Sequence, residues 1–242
     1  MNDLRRGYGA TTTTRAGAGA IDEGLRQYML GVYNYMALGV AGTGIVSLFV
    51  ASQQNLVYAI GGTPLKWVLF AGLLGLGWFA PRVMFNGSKG MAHAMFWVYA
   101  GLWGLLIAPM LYSFNAAGAS VDIYRAFFIT AGLFAGISLW GYTTKRDISG
   151  WGGFLAMASI GLLIAIIVNV FIGSTMMSLI TSGLVVIVFT AVTAWETQTI
   201  KSMYVEGGAA NDRAAIFGAF ALYGSFVTLF IHILNILGIM RD

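Results

Sequence analysis

Few side chains in this chain could do chemistry. Nine carboxylates occur in 242 residues. Asp3, Asp22, Glu23, Asp122, Asp147, Glu206, Asp212 and Asp242 fall in tails, connections or polar flanks, whereas Glu196 stands inside FTAVTAWETQTIKSMY, residues 189–204. A carboxylate within a membrane-crossing helix costs a few kcal/mol and marks an ion path, a proton site or a charge pair. A shallow reading competes. Lys201 lies five residues on, about 7 Å along a helix, and Trp195 is an interfacial residue type. Glu196 then sits near the headgroups, snorkels to water, or pairs with Lys201 or Arg82. On depth alone the two readings weigh the same.

A second group of residues tips the balance towards chemistry. Ser225, Thr228, His232 and Asn235 are spaced three, four and three apart, which puts them on one face of a helix. Polar side chains within a bilayer need partners, so this face points into a bundle, and Asn169 is a further partner for it. A hydrogen-bonded packing seam explains the face equally well. A histidine facing a glutamate would instead perturb the titration of both groups.

The elements that position these residues are membrane spans. The chain is 58% hydrophobic and 9% charged, with a mean hydropathy of +0.79. Soluble domains carry about 25% charged residues, so the expected class is an all-α, multi-pass membrane protein in a lipid bilayer. There are no cysteines, which excludes disulfides, thiolate metal sites and cysteine nucleophiles. Two histidines, His93 and His232, are too few for a zinc site. With no paired-aspartate protease motif and no recognisable Ser/His dyad, no enzymatic activity and no cofactor are expected. The net charge of +4 reflects orientation in a membrane, not nucleic-acid binding.

Seven stretches are long enough to span a bilayer, at about 20 residues each: Tyr28–Ala51, Trp67–Phe85, Met91–Phe114, Ile123–Trp140, Trp151–Ile172, Met176–Ile200 and Ala214–Gly238. Residues 1–27 form a polar cytosolic tail with no apolar run fit for a signal peptide, and residues 28–242 form the transmembrane domain. Ten of the thirteen Lys and Arg residues fall on the N-terminal side, which puts the N-terminus in the cytosol. Seven spans then carry the C-terminus outside. The second stretch is short and glycine-rich, and were it re-entrant the C-terminus would return to the cytosol. Glycines within spans, as in GVAGTG at 39–44, GLLGLG at 72–77, GLWG at 101–104 and GLFAG at 132–136, suit close helix packing better than a glycine-lined pore.

Three segments carry a family resemblance: ISLWGYTTKRDISGWGGFLAMASIGLLIAIIVN at 137–169, TAWETQTIK at 193–201 and FGAFALYGSFVTLFIHILNILG at 217–238. Together they resemble the Bax inhibitor family, in its bacterial branch, over nearly the whole chain beyond residue 25. The resemblance implies seven helices with the seventh enclosed by the other six, in the bacterial inner (plasma) membrane. It implies a pH-sensitive calcium leak gated by two aspartates, late in the sixth helix and in the seventh, modulated by a basic residue in the second. The sixth-helix motif of the family, Tyr-Asp-Thr-Gln, is here Trp195, Glu196, Thr197 and Gln198. The second aspartate position is Ser225 and the family's asparagine is Thr228. For the basic partner only Arg82 offers itself.

One carboxylate cannot split a titration as two close ones do. Calcium takes six to eight oxygen ligands, so Glu196 with Ser225, Thr228 and water would bind it weakly, as a transported ion. Two functions follow: a cation or calcium leak with a degenerate gate at Glu196, Ser225, Thr228 and His232, or a non-transporting regulator of a larger membrane complex, such as a membrane-bound AAA protease.

Overall fold

The computed structural model describes residues 13–241, so the first twelve residues of the expected tail lie outside the described residues. From Thr13 the chain is helical and runs without a break into the first span. The order is α1 (Thr13–Ala51), α2 (Gln54–Gly61), α3 (Leu65–Asn86), α4 (Lys89–Ala116), α5 (Ser120–Thr143), a 3-10 turn (Ser149–Trp151), α6 (Gly152–Ile172), α7 (Thr175–Ser202) and α8 (Asn211–Arg241). Seven of these helices are long and apolar enough to cross a membrane, and their bounds extend each expected span by a few residues at most. The second stretch is a continuous helix of 22 residues, about 33 Å long, despite Pro81 in its interior. The short α2 does not stand out in the sequence, because eight residues give periodicity little room.

Local chemistry sets the helix ends. Ser88 Oγ accepts a hydrogen bond from the Met91 N–H and opens α4, and Ser174 Oγ does the same from Met177 for α7. Such caps satisfy donors that a helix start leaves free. Gly173 closes α6 at φ +71°, a left-handed conformation open to glycine. Asn169 binds across this turn, donating to the Ser174 carbonyl at 3.1 Å and accepting from the Ser174 N–H at 3.2 Å. Its polar ends are satisfied there, so Asn169 is a turn residue and not a partner of the polar face on the last helix.

The last helix is the enclosed one. Of its most apolar stretch 67% is buried, against 6% for α6. Helix α8 packs against α1, α3, α4, α5 and α7, while α6 packs chiefly on α7. In lipid, helices hold together by packing and hydrogen bonds, because the bilayer is as apolar as the side chains. The core accordingly combines rings and hydroxyls. Tyr99 lies 4.3 Å from Phe220 between centroids, and Phe134 lies 5.6 Å from Phe226. Thr43 donates to the Ala100 carbonyl at 2.9 Å. Its one proton thus used, the 2.6 Å contact with Tyr223 is a bond donated by the tyrosine, which ties α1, α4 and α8 together.

Span glycines divide into two sets. A Cβ on Gly141 would stand 2.6 Å from the Ala194 carbonyl oxygen, so α5 and α7 touch backbone to backbone there. Gly75, Gly77, Gly132 and Gly136 have nothing within 4 Å of such a Cβ. Close packing therefore accounts for some of the span glycines and not for GLFAG at 132–136.

Candidate functional site

Four consecutive residues of α7, Trp195 to Gln198, carry the site. Successive residues of a helix turn by about 100°, so four in a row sweep most of its circumference. They bind three different neighbours. Trp195 Nε1 donates to the Ser149 carbonyl at 3.3 Å, and its ring lies against Gly152. Glu196 accepts from the Ser225 hydroxyl of α8 at 2.7 Å. Thr197 faces α5 and is 2.9 Å from Ser138 Oγ. Gln198 accepts from the Ile148 N–H at 2.9 Å and donates to the Arg146 carbonyl at 2.8 Å.

The Glu196–Ser225 bond joins the two residues that the family motifs align. Ser225 is buried and Glu196 partly so. Ser225 is the fifteenth of the 31 residues of α8, so the bond lies midway along the enclosed helix. Register gives the direction of the glutamate side chain. Gly218 packs on Ile200. Glu196 is one turn below Ile200 and Ser225 two turns below Gly218, so the carboxyl reaches inwards by about 4 Å and not back towards the helix end. The hydroxyl of Tyr99 closes the same place from α4, 3.4 Å from where a Cβ on Gly224 would be.

Three expected partners of Glu196 are elsewhere. Lys201 donates to the Tyr142 carbonyl at 2.8 Å and lies 4.9 Å from the centre of the Tyr142 ring, so it is engaged on α5. Arg82 is exposed on α3, a helix that does not pack against α7. His232 meets Ser182 instead, 3.0 Å from its Nδ1, seven residues or about 10 Å along α8 from Ser225. Asn235 donates to Ser182 and Ser178 at 2.9 and 2.8 Å. The Ser182 hydroxyl thus joins Asn235 and His232 of α8 to one point of α7. Thr228 turns back to the Gly224 carbonyl at 2.8 Å. The polar face is thus two stations, Ser225 with Glu196 and His232 with Asn235.

Among the described residues no three His, Asp or Glu side chains converge on a point. Glu196 and Ser225 together supply up to three oxygens, well short of the six to eight that calcium takes. Without Thr228 the set is poorer than the sequence suggests. The other described carboxylates lie at span ends or in connections, as with Asp122 beside Arg125 at 3.0 Å and Asp212 beside Lys89 at 2.6 Å.

Sequence reasoning missed the attachment of the 144–151 segment to α7. Trp195, Gln198 and Lys201 all bind the chain between Tyr142 and Ser149. Inside that segment Asp147 accepts from the Ser149 N–H at 2.9 Å. Hydrogen bonds from Ser149 hold the Asp147 carboxyl below its usual range. The signal available was the spacing of Trp195, Gln198 and Lys201 by threes, which puts them on one face.

Seven apolar spans, the last of them largely buried against five of the others, with Glu196 held against that last helix, define an integral membrane protein of the seven-helix, multi-pass class. The family model described as "Inhibitor of apoptosis-promoting Bax1" matches residues 25–242, and the chain belongs to this Bax inhibitor family. It is 37% identical over 239 residues to an uncharacterised protein of Rickettsia prowazekii, covering 97% of this chain and 99% of the relative. It is 36% identical to an uncharacterised protein of Caulobacter vibrioides over the full length of both. Inner membrane protein YbhL of Escherichia coli is 33% identical over 230 residues, 90% of this chain and 94% of that protein.

Proposed function

We propose that this protein is a pH-responsive cation leak of the bacterial inner membrane, with the N-terminus in the cytosol and Glu196 as a one-carboxylate gate. The Glu196–Ser225 hydrogen bond at the midpoint of the enclosed helix carries this reading. Breaking it frees a carboxylate to ligate a passing cation, and protonation removes the charge that would attract one. Calcium is the proposed cargo, weakly selected because one formal charge and few oxygens face it. No enzymatic activity and no bound cofactor belong to this reading.

The deciding experiment is calcium flux into proteoliposomes between about pH 5 and 8, for the wild type and Glu196→Gln side by side. The expected result is a flux above empty liposomes that depends on pH, with a modest change and a flatter profile in the variant. Equal flux at every pH in both proteins would remove Glu196 from gating. No flux in either would favour the second reading, an accessory subunit of a larger membrane complex such as a protease. Its support is the exposed pair Lys145 and Arg146, presented on a segment that α7 holds in place.

A further inference from the structure

Helices α1 and α5 both pack on α8, yet what joins them directly is a hydrogen bond and not a packed seam. Tyr33 Oη and Ser138 Oγ are 2.7 Å apart. Beside this bond is a cavity of about 580 Å³ between the two helices, within the range of small-molecule sites. Its floor is buried and apolar, made by Met29 and Met36 of α1, Phe134 of α5 and Phe226 of α8. Its rim is exposed, with Leu30 and Ala37 on one side and Ala135 and Leu139 on the other. It is therefore a groove open on the outside of the bundle, in the wall that meets lipid.

Its length matches one leaflet. On α1 the lining runs from Arg26 to Ala37, and on α5 from Ala131 to Tyr142. Both ranges cover twelve residues, which rise about 16 Å from first to last, against about 15 Å for half the hydrocarbon thickness. The charges stand at one end. Arg26 closes the groove at its N-terminal side, in a long contact of 3.4 Å with Glu23 where both groups are exposed, which makes it a weak pair. Lys201 sits over Tyr142 on the opposite rim. A molecule with an anionic head at Arg26 and an apolar tail reaching the midplane fits this distribution.

We propose that the groove between α1 and α5 binds one acyl chain of an anionic phospholipid from the leaflet on the N-terminal side, with its phosphate at Arg26. The test is native mass spectrometry of the purified full-length protein, after delipidation and exposure to phosphatidylglycerol or to phosphatidylcholine. The wild type is expected to retain one phosphatidylglycerol in preference to phosphatidylcholine. Ala135→Trp and, as a second variant at an exposed position, Leu139→Trp are expected to lose it by filling the groove. Arg26→Gln is expected to lower retention about fivefold, the worth of one basic residue near an anionic surface. Equal retention of the two lipids, or retention unchanged in both tryptophan variants, would overturn the proposal. So would a dimer mass abolished by those variants without bound lipid, which would assign the groove to a second copy.

Discussion

At the residue scale the question is what a serine does where a family pattern holds a second acid. Ser225 gives its proton to Glu196 at 2.7 Å, so it satisfies the carboxylate without competing for the shared charge. Two carboxylates at that separation would titrate as a coupled pair, in two well-separated steps. Ser225→Asp is therefore expected to split the pH dependence of calcium flux in proteoliposomes into two steps, where the wild type shows one. An unchanged profile would mean that the new carboxyl does not face Glu196. Ser225→Ala removes the donor and leaves the glutamate with one bond fewer, at about 1 kcal/mol. Its melting midpoint in detergent is expected to fall while its pH profile keeps the shape set by a single acid. Glu196 and Ser225 were legible as facing residues because each sits in a recognisable motif. The partnering of His232 with Ser182 was not, since nothing in the spacing along α8 says which residue of α7 lies opposite.

At the element scale, α7 acts as a hub because its residues from Trp195 to Gln198 reach three neighbours: α8, α5 and the 144–151 segment. The same turn that holds Ser225 also holds the 144–151 segment, through Gln198 and Trp195. Gln198→Ala removes two hydrogen bonds to that segment at once, each worth about 1 kcal/mol. The Ile148 amide is then expected to exchange with deuterium roughly thirtyfold faster, while amides in the middle of α8 keep their protection. If both regions lost protection together, Gln198 would be supporting the whole bundle and not the segment alone. One face of α7 thus grips the backbone of the segment. Composition reveals the spans, because a run of about 20 apolar residues is unambiguous. It cannot reveal this grip, whose bonds end mostly on backbone atoms that every residue has.

At the scale of the whole molecule, enclosure of α8 and the distribution of charge are linked. A helix that packs on five neighbours needs few charges of its own, and those of α8 stand near its ends at Asp212, Arg213 and Arg241. The outer helices carry the asymmetry. Lys89, Lys145, Arg146 and Lys201 lie at the end of the bundle shared with Arg213, which binds the Phe85 and Gly87 carbonyls at 3.1 and 2.9 Å. Lys66, Arg125 and Arg241 lie at the other end. In the orientation proposed above, with the more basic end in the cytosol, the Arg26 end of the α1–α5 groove lies in the cytosolic leaflet. The absence of cysteine from the sequence makes this directly measurable. Lys145→Cys and Ala117→Cys each introduce one thiol at an exposed position, at opposite ends of the bundle. A membrane-impermeant maleimide added to intact spheroplasts is expected to label the cysteine at position 117 and to reach the one at 145 only after lysis. The reverse pattern would invert the protein, move the groove to the outer leaflet, and put Lys145 and Arg146 beyond the reach of any cytosolic partner.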